Sequence, residues 1–248
     1  ELWTALFMFL AGGSFSLYYR AYVKGPAVIL HNTEFRTYFG IVLAATLLIA
    51  LNLILSMGMD GDMAARVAVF QVTSLSTTGF VSADFETWPT FSKMVLLLLM
   101  VIGGCAGSTA SGIKVARLIL LVRNARAVVL QKLNPNRVVD ITLTGAHVDD
   151  AMLLRVGTFF FLYLAVIFVT AFLLAMDGLL PFDAVAVAIT TIGNIGPAFG
   201  IVSATSTYAP LSDFSKAILC LTMLLGRLEI FTLLILLQPS FWRRTYRW

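Results

Sequence analysis

Thr73–Phe80 reads TSLSTTGF, and a degenerate copy returns at Thr190–Pro197 as TTIGNIGP. Each run is made of small hydroxyl, amide and glycine residues. Each follows an apolar segment of half-helix length and precedes a polar loop and a long apolar stretch. Alone, such a run is a turn. Two in the same helical context, in a chain this apolar, predict a pore lining made of backbone carbonyls. Non-helical backbone at membrane depth is tolerated only where it is buried in protein or faces water. An ion filter meets that condition, because carbonyls replace a cation's hydration shell and glycine permits the φ angles that aim them inward.

The bulk composition supports a membrane setting. Apolar residues make up 59% and charged residues 12%, against about half and about a quarter in soluble domains. With a mean hydropathy of +0.92, one soluble core cannot hide this surface, so most of it faces lipid or other helices. Cys105 and Cys220 both sit in apolar segments and imply neither a disulfide framework nor a zinc site. Glu1 stands inside an apolar run with no leader, so the chain reads as a fragment.

Working outward, residues 1–19 are the end of a spanning helix, and 20–37 a basic loop. Residues 38–57 form a full span. Met63–Ser76 is too short to cross and reads as re-entrant. Residues 91–122 would run roughly 48 Å as one helix, longer than any bilayer core. The segment must break, and GGCAGSTASG over Gly103–Gly112 is the place. Residues 123–150 form a basic loop, 151–176 a span, and Pro181–Gly193 a second short segment. Residues 214–237 form a last span, and 238–248 a basic tail. Thr73 aligns with Thr190 and Gly79 with Gly196 at an offset of 117; Gly103 aligns with Gly226 at 123. The extra residues fall in a loop, where insertions are tolerated. The fold class is thus an all-α membrane protein of parallel span–pore-loop–span repeats, unlike the inverted repeats of many transporters.

Charge orients it. Arg20, Lys24, Arg36, Lys114, Arg117, Arg123, Arg126, Lys132, Arg137, Arg155, Arg243, Arg244 and Arg247 fall at one end of the spans, predicted to be cytoplasmic. Asp60, Asp62, Asp84, Glu86, Asp177, Asp183 and Asp213 crowd the other. They form either a cation-concentrating vestibule or ordinary solvated loops. His31 and His147 read as surface residues.

STTGF, GNIGP and GGCAGSTASGIKVAR together resemble the Trk/Ktr/HKT family of potassium transporters, and within it the bacterial Trk membrane subunit. The resemblance covers essentially the whole chain. It implies four span–pore–span repeats around one path: 1–19 would close the second repeat, 38–122 would be the third and 151–237 the fourth. By resemblance Gly79 and Gly196 are the filter glycines, and carbonyls of Thr77, Thr78, Asn194 and Ile195 hold potassium, the transported ion. No other cofactor is expected. Gly103, Gly104, Gly107 and Gly112 belong to an intramembrane gate, able to swing if few buried contacts hold it. The alternative is a GxxxG helix-packing surface. Arg227, read as lying mid-span, is expected to reach the pore near that loop as a barrier to cations. A static buried ion pair is the alternative. Glu229 lies on another face. Lys114 either snorkels to the inner interface or faces the pore.

Further implications are a multi-pass protein of the bacterial inner membrane, a homodimer, and a docked ring of cytosolic nucleotide-binding subunits. The N-terminal half of the same protein is a required partner, the lipid bilayer is the setting, and no nucleic acid is involved. Sodium permeation, or potassium/sodium symport, remains open. A polytopic membrane enzyme is less well supported, since no nucleophile–base pair appears.

Overall fold

The computed structural model describes residues 1–134 and 139–242; Arg137, Arg243, Arg244 and Arg247 lie outside the described residues. Helix α1 (Leu2–Gly12) and α2 (Phe15–Lys24) meet at 90°. The straight span expected over 1–19 is therefore broken. Packing explains the break: a Cβ on Gly12 would fall 2.2 Å from the Tyr38 hydroxyl and 2.6 Å from Thr77 Cγ2. Only a glycine lets the end of α1 approach so closely. The expected loop that follows contains the short α3 (Ala27–His31).

α4 (Thr33–Met57) begins earlier than the apolar run suggests. The Asn32 side chain accepts from the Phe35 amide at 2.9 Å, an N-cap that settles where the helix starts. Gly58, at φ +63°, ends it.

α5 (Gly61–Thr77) is short, and Phe70 to Thr77 are buried without interruption. Four of those residues carry hydroxyls. Thr73 donates to the Val69 carbonyl at 2.8 Å, Ser76 and Thr77 donate to the Thr73 carbonyl at 3.0 and 3.1 Å, and Ser74 turns to the Phe80 carbonyl. Bonding back to carbonyls is what lets polar side chains enter a core. α5 packs against α1, α4 and α6 (Thr90–Ile102).

The chain then leaves helical geometry from Gly103 to Lys114 and resumes as α7 (Val115–Leu133). This excludes the GxxxG reading, which needs a helix. α7 also runs past Val122, so the basic segment is helical as far as Leu133. Beyond it lies a hairpin of β1 (Thr142–Leu143) and β2 (Ala146–His147), unforeseen in the all-α reading. Its turn residues Thr144 and Gly145 have φ +49° and +81°, the pattern of a two-residue type I′ turn.

α8 (Asp150–Met176) starts on the Asp149 cap and runs 27 residues. α9 (Pro181–Ile192) opens on a proline and is buried from Ala186 to its end. It packs against α8, α6 and α10 (Asp213–Arg227). α11 (Ile230–Leu237) leaves α10 at 109°, followed by α12 (Pro239–Trp242). The last apolar stretch, expected as a span over 214–237, is bent rather than straight, and Arg227 ends α10 at the bend.

Among the described residues two helices, α4 and α8, are long and apolar enough to cross a membrane, or up to four spans if each bent pair counts as one. Only 28% and 33% of their apolar windows are buried. Phe161, Phe168 and Phe172 on α8 and Leu51 and Leu55 on α4 are exposed. A water-facing surface would not carry such a stripe; a lipid-facing one does.

Candidate functional site

Two turns meet at the centre of the chain. The first follows α5. Thr78 and Gly79 donate their amides to the Ser74 carbonyl at 2.7 and 2.9 Å. Gly79 adopts φ +77°. The second follows α9. Asn194 adopts φ +53°, the Ile195 amide donates to the Thr190 carbonyl at 3.0 Å, and Thr190 donates to the Pro197 carbonyl at 2.7 Å. Thus one hydroxyl closes each turn, Ser74 in the first and Thr190 in the second. An ideal Cβ on Gly79 would lie 1.8 Å from the Ile195 carbonyl oxygen. The hairpins are apposed, backbone against backbone.

Their main-chain oxygens are unusual. Among the described residues no donor reaches the carbonyls of Thr77, Thr78, Gly79, Asn194 or Ile195, and the buried Thr78 hydroxyl also has no partner. Thr77 and Ile195 are buried, while Thr78, Gly79 and Asn194 are half-buried, so this cluster of donor-free carbonyls is open to water or a cation. Gly196 differs from the expected set. Its carbonyl accepts from Tyr208, whose phenol burial pushes up to about 12. The Asn194 amide group is used too, donating to the Met223 carbonyl at 3.2 Å and to Ser111 Oγ at 3.3 Å. α10 reaches this turn through Gly226, where a Cβ would sit 1.9 Å from the Ile192 carbonyl.

The glycine-rich stretch lies alongside. The expectation that few buried contacts hold it is wrong. The Cys105 amide donates to the Gly12 carbonyl at 2.8 Å, and the Ile113 amide to the Val101 carbonyl at 3.2 Å. Glu34 accepts from the Ala106 amide. Gly103, Gly104 and Gly112 are buried, and a Cβ on Gly103 would come within 2.2 Å of the Ser111 carbonyl. Gly107 is exposed, as is Thr109. Hydrogen bonds stitch one end to α1 and the other back to α6, because a loop inside a membrane protein must find internal partners.

Arg227 donates to the Thr109 carbonyl at 2.8 Å, so the last helix pair touches the loop directly. Lys114 neither snorkels freely nor stands alone. It pairs with Glu229 at 2.6 Å, and Arg117 takes the other carboxylate oxygen at 2.9 Å. Arg117 also stacks on Phe159, 3.9 Å from the ring centroid. Residues Ser108–Gly112 with Lys114, Arg227 and Glu229 line a polar cavity of about 260 Å³. Glu229, Glu34 and Tyr208 join the site beyond the residues expected there. For Glu229 a signal existed: a lone carboxylate in an apolar run demands a cation.

Most of the acidic mouth is occupied by local structure. Asp84 caps a short helical turn, Glu86 pairs with Lys93 at 2.7 Å, and Asp62 pairs with Arg66 at 2.6 Å. Asp177 accepts from Ser212 and from Ser215, and these bonds hold its carboxyl below the usual range. A depressed carboxyl adds stability that is present above its ordinary value of about 3.9 and is lost as pH falls through the folded value. Asp177→Asn should therefore lower the thermal midpoint at pH 7. The gap to the parent should close as pH falls below about 4; a gap that persists at acid pH would point to lost packing instead.

The fold and site define a class: helical membrane proteins built around apposed glycine turns. A family model described as "TrkH: Cation transport protein" matches residues 1–244, and the chain belongs to that family. It is 35% identical over 245 residues to the Trk system potassium uptake protein TrkH of Salmonella typhimurium, covering 96% of this chain and 50% of that protein. The TrkH of Vibrio parahaemolyticus is 36% identical over 252 residues, covering 98% and 51%. The crystal structure of the potassium transporter TrkH from Vibrio parahaemolyticus superposes with a TM-score of 0.89 at 35% identity, over 98% of this chain and 52% of that one. The chain spans about half the length of these relatives. They are named as transport proteins, not enzymes.

Proposed function

We propose that this chain supplies two of the pore segments of a potassium uptake protein. Carbonyls of Thr77, Thr78, Asn194 and Ile195 line the ion path at Gly79 and Gly196. The loop Gly103–Gly112, with Arg227, gates it on the basic, cytoplasmic side. The observation that carries this reading is the pair of apposed turns with donor-free carbonyls. Potassium enters as cargo, following the relatives' names. Two turns do not make a ring, so the N-terminal half of the same protein closes it. A second copy, a cytosolic nucleotide-binding ring and the inner membrane complete the assembly implied by resemblance.

One glycine per turn is fewer than in the filters of potassium channels. Fewer ordered ion positions follow, with a modest preference for potassium over sodium. Rubidium tracer uptake into liposomes carrying the full-length protein should be inhibited by potassium at lower concentration than by sodium. Equal inhibition would favour the sodium-permeable form, and no uptake would argue for a non-conducting subunit.

A further inference from the structure

The two helix breaks match at their exits. α6 ends beside Gly103 and α10 beside Gly226, the aligned glycines of the two repeats. One break is a twelve-residue loop and the other only Leu228-Glu229, yet both close on the same backbone. Lys114 has φ +63°, ψ 125° and precedes α7; Glu229 has φ +60°, ψ 134° and precedes α11. Neither is a glycine. Such backbone is strained for a residue with a side chain and survives only where its surroundings impose it. At these two matched positions stand opposite charges, 2.6 Å apart.

We propose that Lys114 and Glu229 form a latch across the two breaks. They are positioning residues that couple the end of the glycine loop to the bend of the last helix pair. Arg117, one turn along α7, adds a second cation to the same carboxylate. Glu229 itself is reached by no other described cation, since Arg227 turns away to Thr109. Charge-assisted bonds of this length are strong and geometrically exacting. The loop's exit and the start of α11 therefore move together. Opening the cavity between them requires parting both cations from Glu229.

This inference deepens the gate reading and rests on it for its effect on flux, but the latch can be tested separately. In the full-length protein, Lys114→Met, Glu229→Gln and the double variant form a cycle, read by thermal midpoint and by rubidium leak. Glu229→Gln should be the more damaging single change, because it strands two cations and Lys114→Met strands none. In the double variant the leak should be lower than the product of the single effects by roughly tenfold, within the range for contacting residues. Lys114→Arg should restore low leak. Additive midpoints would overturn the latch. Coupled midpoints with additive leak would overturn its role in gating. Coupled midpoints in a protein where Arg227→Ala leaves leak unchanged would keep the latch as architecture and sink the gate.

Discussion

Gly79→Ala in the full-length protein should abolish rubidium uptake while Gly196→Ala leaves a measurable remainder. Both glycines have positive φ, +77° and +115°, so both variants carry backbone strain of about 1–3 kcal/mol. They differ in surroundings. A methyl on Gly79 meets the Ile195 carbonyl at 1.8 Å and its carbon at 2.7 Å, backbone atoms that cannot swing aside. At Gly196 nothing lies within 4 Å. The Gly79 variant must push the two turns apart, and the proposed ion path is made of those turns. Equal uptake by both variants would show that the contact between the hairpins plays no part in conduction.

Arg227→Ala should raise rubidium leak by about tenfold. A unit charge some 6 Å from a passing cation, in surroundings of effective dielectric near 20, adds roughly 3 kcal/mol to its path. Arg227 is exposed to the cavity, so screening removes about half of that, and 1.4 kcal/mol is tenfold. The same change also frees the Thr109 carbonyl and so loosens the exposed arc of the loop. Arg227→Lys separates the two effects. It keeps the charge but loses the planar fork, and should leak far less than alanine. Unchanged or lower flux in well-folded Arg227→Ala protein would make the arginine a static tie between α10 and the loop.

The tethers are distributed along the whole loop. Its ends are bonded at Cys105 and Ile113 and are buried. The arc from Ala106 to Thr109 is partly exposed and held by Glu34, by the Phe15 amide, which donates to the Gly107 carbonyl at 3.2 Å, and by Arg227.

Much of this was legible beforehand. Apolar content and segment length gave the spans α4 and α8 and the short α5 and α9, because hydrocarbon thickness imposes a length that residue counting can read. The break after Ile102 was legible for a related reason: an apolar run too long for a bilayer with four glycines inside it. The break at Leu228-Glu229 was not. Gly226 marks the place only weakly, as a single glycine in an apolar run, and the partners of Glu229 at the bend lie more than a hundred residues away. The bend after Gly12 is similar, since the close approach of Tyr38 and Thr77 to Gly12 brings together residues far apart in the chain.

By itself the sequence determined the membrane setting, the repeated order of long and short helices, and the glycines that permit two tight turns. These depend on composition and local spacing. Only the tertiary structure decided that Gly79 faces Ile195, that the loop is stitched down, and that Glu229 is shared by Lys114 and Arg117. Those facts depend on which distant backbones and charges meet. A local pattern cannot specify that meeting, because the partners are chosen by packing.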